Sequence, residues 1–430
     1  MADVQHKRGT RSDLNTLAAA NGLLVGQVYF ITDEDRLSIA TSVSAYQAAA
    51  KEGEGGSLEL YAENPSSPTA PSATGTNAVA VGEQGVSAGT RSVSAGKSRA
   101  GGDDSFAAAI GNNTSSYGVK DTAHRAVSIG SFSDARAVEA VAIGREASAQ
   151  GSKSASLGYR AFSIGIQSVA AGHSYAGGAD SFAAVITNNT STYGATGANS
   201  IAMGASAKAT GSRDISAGRF SQATGGSSVA IGSSATASGA DSLALGRSVD
   251  ATGSQSGAVG YSADATALRS FALGHSSISN IVGKYAYAGG FIAATGDTQT
   301  GTFVLRKGTT DATPAALSTG SVNATAGADD QIILPNNSAF AFHGTIVARQ
   351  QASTGTACAA WRVEGLIRRE GSAGATVLVN SATTILDNTP AWGMTLSADT
   401  TNGGLKIEIT GAAATNIRFV ATINTSEVTY

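Results

Sequence analysis

The chain has 430 residues, a formal net charge of −3 and 54 glycines; 6 % of its residues are aromatic and 14 % charged. Ordinary soluble domains carry roughly 25 % charge and roughly 7 % glycine, so a conventional globular domain throughout is excluded. With no cluster of Lys and Arg, a nucleic-acid partner has no electrostatic footprint.

The opening "MADVQHKRGTRSD" lacks the apolar core of a secretory signal. No run reaches the ~18 apolar residues of a membrane helix, so no membrane insertion is expected. The chain is therefore expected to be made and kept in a cytoplasm, or released from one by lysis. "RSDLNTLAAANGL" predicts a short helix from Ser12 or Asp13 to Asn21-Gly22. "GQVYFITDEDRLSIATS" predicts a hairpin turning at Asp33-Glu34-Asp35, an acidic group that reads as a charged tip. Residues 1–64 form a small α+β knob, and "ENPSSPTAPSATG", with three of the six prolines, supplies a stiff linker over 65–74. The text "KRGTRSDLNTLAAANGLLVGQVYFITDEDRLSIATS" resembles the leading segment of tail and structural proteins of tailed bacteriophages. The resemblance implies a module that attaches to other virion proteins.

Residues 75–283 are a repeat array. "NSIAMG" ends at Gly204, "RDISAG" at Gly218, "SSVAIG" at Gly232, "DSLALG" at Gly246, "QSGAVG" at Gly260 and "RSFALG" at Gly274, each 14 residues after the last. Gly211, Gly225, Gly239 and Gly253 lie halfway between, and only Ala267 breaks that second series. Earlier, Gly75, Gly82, Gly89 and Gly96 are seven apart, and Gly130, Gly144, Gly158 and Gly172 are 14 apart. A seven-residue period could mean a coiled coil, but glycine in every heptad costs about 1 kcal/mol each in a helix. Val229 and Ile231, Leu243 and Leu245, and Phe271 and Leu273 alternate at the strand period instead. The pattern predicts two short strands and two glycine corners per coil, the glycines taking the φ > 0 that tight corners need. Coils stack as parallel strands about 4.8 Å apart, with valine and isoleucine expected to point inward. From Gly75 to Gly274 this gives about 13.5 coils, a shaft roughly 65 Å tall. Such a coil buries little alone, so an oligomer is expected, and threefold rotation suits a long fibre. The units "NSIAMGASAKATGS" and "SSVAIGSSATASG" resemble the head repeats of trimeric autotransporter adhesins. That resemblance implies a homotrimer of left-handed parallel β-rolls, one coil per 14 residues. Hexapeptide-repeat acyltransferases differ in period.

Two intervals interrupt the phase. Gly96 to Gly130 is 28 + 6 residues and Gly172 to Gly204 is 28 + 4, and both hold related text: "AGGDDSFAAAIGNNTSSYG" and "AGGADSFAAVITNNTSTYG". Two coils are expected to continue through each, with short loops bulging out. Tyr117, His124 and Tyr193 are candidates for a lateral contact or a glycan site, or belong to packed loops that close a gap between protomers. Asp103, Asp104 and Asp180 are too few for a cation site, so no metal is assigned. "NNT" is a glycosylation sequon only in a secretory pathway.

Residues 284–430 read as a β-sandwich tip, with strands in "TFVLRK", "QIILPNN", "AFAFHGTIVARQ", "AAWRVEGLIRRE", "ATVLVN", "LKIEIT" and "NIRFVATINT". Cys358, the single cysteine, cannot form an intrachain disulfide and reads as a small buried side chain. "AAWRVEGLIRREG", "NTPAWGMTLSADTTNGGLKIEITG" and "TNIRFVATINTSEVTY" resemble the C-terminal domain of phage tail-fibre and appendage proteins. In "WRVEGLIRR", Trp361, Val363 and Ile367 share one face, and Arg362, Glu364 and Arg368 the other. Trp392 is either core or a stacking platform for a sugar. Arg368 and Arg369 are candidates for anionic glycans, or a solvated strand end.

The fold expected is all-β: a homotrimeric fibre with knob, roll and sandwich. The function expected is a structural phage fibre, on tail or head, that adheres to host-surface carbohydrate. A bacterial trimeric surface adhesin is the alternative, weakened by the missing signal although Tyr430 is a residue on which outer-membrane strands end. A fibre-borne polysaccharide depolymerase would need two carboxylates about 5–10 Å apart. Glu364, Glu370, Asp387 and Asp399 show no pairing in sequence, so neither catalytic residues nor a cofactor are assigned.

Overall fold

The computed structural model describes residues 7–21, 28–31, 36–42, 45–48, 69–111, 114–187, 190–321, 325–353, 355–388 and 390–430. Nearly all of this is β structure: a parallel β-solenoid of about 15 turns followed by an antiparallel C-terminal sheet. Asp33–Asp35, residues 65–68 of the linker and both asparagines of each "NNT" lie outside the described residues.

Helix Arg11–Ala19 starts one residue earlier than its pattern suggested, because Thr10 and Asp13 form a capping box. The Asp13 amide donates to Thr10 Oγ1 (3.2 Å) and the Thr10 amide to the Asp13 carboxylate (2.9 Å), satisfying two orphan donors. Leu14 and Ala18 are its buried residues. Val28–Ile31 and Arg36–Ser42 pair antiparallel as the expected hairpin. Ala45–Ala48 extends the sheet on one side and Lys7–Gly9 on the other, the latter parallel.

In the solenoid each coil gives one short strand to each of two sheets. Val229–Ile231 stacks on Leu243–Arg247 with Val229 opposite Leu243 and Ile231 opposite Leu245. Across the coil, Thr236–Ala237 stacks on Asp250–Ala251. The first narrow rung is Ser72–Ala73. The wide sheet runs on to Tyr285–Gly289. Both interruptions keep two coils, but the added residues fall in only one of them. Phe106 pairs with Val93, a coil one residue short, and with Val127, a long one. Phe182 does the same between Val169 and Ile201.

The coil interior corrects the expectation that valine and isoleucine point inward. Ala230, Ala237, Ala244 and Ala251 are the fully buried residues, while Ile231 and Leu245 are 40 % exposed. Two sheets joined by such tight corners leave room between them mainly for alanine and serine, with Ile110, Val119, Ile186 and Val249 among the larger side chains buried there. Many of the serine hydroxyls find partners inside. Ser156 and Ser163 bond each other at 2.7 Å, as do Ser216 and Ser221. Ser168 and Ser200 each donate to the carbonyl of the glycine three residues before, closing the corner.

The glycines serve two different needs. Gly204, Gly218, Gly232, Gly246, Gly260 and Gly274 have φ between +101° and +137°, as expected for corners. Gly225, Gly239 and Gly253 do not; there a Cβ would strike the carbonyl of the residue one coil on. Ala267, which breaks that second series, has no positive φ either. The left-handed corner position is filled every seven residues by other side chains, such as Ser227, Ser234, Asp241 and Ser248.

Beyond the roll, Thr298–Thr309, Ile417–Thr429, Ser338–Gln350, Cys358–Arg369 and Thr376–Asp387 form an antiparallel sheet in that order. A smaller sheet is centred on Gly404–Thr410, with Gly393–Asp399 on one side and Ala315–Ala316 and Ile332–Ile333 on the other. Phe303, Phe340, Trp361 and Phe419 of the first meet Leu405, Ile407 and Ile409 of the second in one core. This is the expected sandwich.

Candidate functional site

One extended surface feature is the outer face of the wide sheet. With alanine turned inward, alternation turns the large residue on either side of it outward. Ile143, Leu157, Met203, Ile231, Leu243 and Leu245 are 37–41 % exposed; Leu157 stacks on Ile143 and Leu245 on Ile231, with Ala171, Ala184 and Ala217 on the rungs between. At the C-terminal end the stripe becomes aromatic. Phe271 stacks on Tyr285 (5.6 Å, 8° between planes), and His275 meets both Tyr261 and Phe291 edge-on. The sequence reading missed this cluster, although Arg247, Tyr261 and His275 each follow a corner glycine and stack in register. The opposite sheet shows polar residues outward, Lys208, Gln222, Thr236, Asp250 and Asp264. Burial there, together with the Asp250 carboxylate one coil away, pushes the Asp264 carboxyl up to about 6.

The loop candidates are tied into the roll. Tyr117 packs edge-on against Phe132 (5.2 Å) and on the alanine core around Val119. Tyr193 packs on the equivalent cluster around Ile186. His124 Nδ1 accepts the Asp103 amide (3.1 Å), and the Asp103 carboxylate accepts the Thr90 amide (2.7 Å). Asp104 instead pairs with Arg91, whose guanidinium holds its carboxyl below the usual carboxylate range. Asp180 occupies the same left-handed corner position as Asp104 in the second interval. These acids therefore do not converge. No group of three or more His, Cys, Asp or Glu suited to a metal occurs among the described residues.

The structure decides one open reading at the tip and corrects another. Trp392 is 5 % exposed and packs against Phe419 (6.1 Å), its amide bonded to Asn388, so its ring offers no face to a sugar. Cys358 is exposed, because inward alternation in its strand begins at Ala359. Arg368 and Arg369 do not act together. Arg368 is exposed and holds Glu370 at 2.6 Å, whereas Arg369 turns back to the Leu334 carbonyl (2.8 Å). Asp399 accepts from Thr401, Asn402 and Gln331, a turn brace rather than a free acid.

Several hollows flank the sandwich, and two of them bear on the candidate residues. One, of about 390 Å³, is open and polar, and is lined by His343, Thr345, Arg362, Glu364, Thr422 and Asn424. The other, of about 780 Å³, lies where roll and sandwich meet, between Ile278, Ile292, Ile333, Pro335 and Tyr430. On its rim the Asp297 carboxylate accepts the amides of Ala293, Ala294 and Ile292, which hold its pKa down to about 2. Behind it Lys284 and Glu427 form an ion pair at 2.7 Å, each 2 % exposed. Gln299 and Thr425 bond the same carboxylate, also at 2.7 Å. Sequence reasoning missed this joint, whose partners lie 143 residues apart.

No curated protein matches the chain. Residues 73–98, 135–161, 195–221, 223–248 and 251–277 match the family described as YadA head domain repeat (2 copies). All five stretches lie in the solenoid. Repeats of this kind on such a fold suggest an adhesin-like fibre and a structural role rather than a catalytic one. The parallel β-solenoid shaft thus carries YadA head repeats, the motif of trimeric autotransporter adhesins, in five stretches between residues 73 and 277.

Proposed function

We propose that three copies of this chain form a bacteriophage fibre, with residues 1–64 seated on other virion proteins and the sandwich held outward to adhere to carbohydrate on the host surface. The observation that carries the assembly is the exposed aliphatic stripe. A contiguous apolar face of this length is costly in water and marks a contact. Three rolls sharing their wide sheets bury it, while the polar sheets stay in solvent. The stacked coils then act as a stiff spacer, roughly 65–70 Å long at the spacing of the 15 rungs. The phage setting rests on the resemblance of the two ends to phage tail proteins. The head-repeat match favours a second reading, a bacterial surface adhesin.

Light scattering on the purified full chain, with electron microscopy of the same sample, tests the assembly. A mass three times 42.5 kDa and a slim shaft ending in a knob are expected. A compact monomer overturns the fibre. Recovery of the protein with purified phage particles, and adsorption of the trimer to host cells that is lost after glycan removal, separate the phage fibre from the bacterial adhesin.

A further inference from the structure

The aliphatic face of the roll does not stop at the roll. Tyr285 stands opposite Thr302, Thr302 opposite Asn424, Asn424 opposite His343, and His343 opposite Glu364. Directly opposed residues project from the same face of a sheet. The stripe and the outer face of the five-stranded sheet are therefore one surface. On the sandwich this surface is still partly apolar, with Val304, Val347, Leu366, Val420 and Val428 between 39 and 53 % exposed.

Among them sit Arg362 and Glu364, two residues apart on one strand and so about 7 Å apart. Arg368–Glu370 and Lys406–Glu408 have the same spacing and pair within the chain. Arg362 and Glu364 have no ion pair or side-chain hydrogen bond among the described residues. A patch bearing one cation and one anion side by side is complementary to a copy of itself. Around a threefold axis each copy would give Arg362 to one neighbour and Glu364 to the other, closing a ring.

We propose that the occupant of this face is a second copy of this chain, and that Arg362 of each copy pairs with Glu364 of the next. The proposal rests on the threefold assembly above, and fixes the rotational register in which the three sandwiches meet. Reversing one charge in the full chain, Arg362→Glu or Glu364→Arg, puts like charges together at every contact. Each single variant is expected to dissociate at a chain concentration at least about tenfold higher than the parent. The double reversal Arg362→Glu/Glu364→Arg is expected to recover assembly. As a second readout, Arg362→Lys supplies an amine that carbodiimide can join to Glu364. Covalent trimers on a denaturing gel are expected, and are lost in Arg362→Lys/Glu364→Gln. A monomeric parent chain overturns both the assembly and this pairing. A trimeric parent whose single reversals assemble unchanged and whose amine variant gives no covalent oligomer overturns the pairing alone. Carbohydrate bound to this face in the intact trimer would do the same.

Discussion

The roll and the sandwich solve the burial problem in opposite ways. The sandwich hides Phe303, Phe340, Trp361 and Phe419 within a single chain. The roll hides mostly alanines and serines and leaves Ile143, Leu157, Ile231, Leu243 and Leu245 partly outside. An aromatic side chain buries 150–250 Å², and burial is worth about 25 cal/mol per Å². An alanine methyl returns far less. The sandwich thus carries its own hydrophobic stabilisation, whereas the roll is held by backbone ladders, glycine corners and whatever covers its outer face.

That contrast can be broken from either side. The largest effect is expected for Gly232→Val, because the backbone there is at φ +131° and the new Cβ would strike the Gly246 carbonyl. The substitution should cost about 4 kcal/mol or more, seen as lost assembly and a collapsed melting transition; unchanged melting would refute the corner geometry. Gly96→Ala is the control: its φ is +66° but the space is open, so the cost is about 1–2 kcal/mol. Next comes Phe419→Ala, which should destabilise the sandwich by about 3–5 kcal/mol, with a loss in melting temperature that does not change with protein concentration. Ile231→Ser should do the reverse. It removes about 1–2 kcal/mol per chain, and only where copies meet, so its melting deficit should grow on dilution. A deficit independent of concentration would mean that the stripe has no partner.

The smallest effect sharpens the polar side of the roll. A carboxyl whose folded pKa is raised binds its proton more tightly folded than unfolded. Asp264 therefore contributes stability that is fully present below about 3.8 and is lost as pH rises through about 6. Asp264→Asn should abolish that dependence and stabilise the roll at pH 7, by under about 1 kcal/mol after solvent screening. Melting curves of the two proteins from pH 4 to 7 should converge at the acidic end, and parallel curves would sink the account.

Much of this architecture was legible because period and type are local. The 14-residue spacing from Gly204 to Gly274 set the coil, and alternation in "AFAFHGTIVARQ" set a sandwich strand. Parity told which residues share a face but not which face is inside. Val229 and Ile231 looked like core because large apolar residues usually are, and only the thinness of the coil decides for Ala230. The two glycine series read alike in sequence, although one answers to φ and the other to the carbonyl of the next coil. Trp392 turned on its distance to Phe419, and Lys284–Glu427 on a chain reversal, which no local pattern carries.

The continuous sheet through Tyr285–Gly289 also has a mechanical meaning. In the roll the hydrogen bonds point along the long axis, so a pull on the tip loads the rungs in series, each carrying the full tension. Within the sandwich, Thr298–Thr309 and Ile417–Thr429 are zipped over twelve opposed residues. Between the two, the ladder narrows to Tyr285, Ala286 and Tyr287, backed by the buried Lys284–Glu427 pair. A pull on the tip therefore crosses from one body to the other through this short ladder and the buried ion pair behind it.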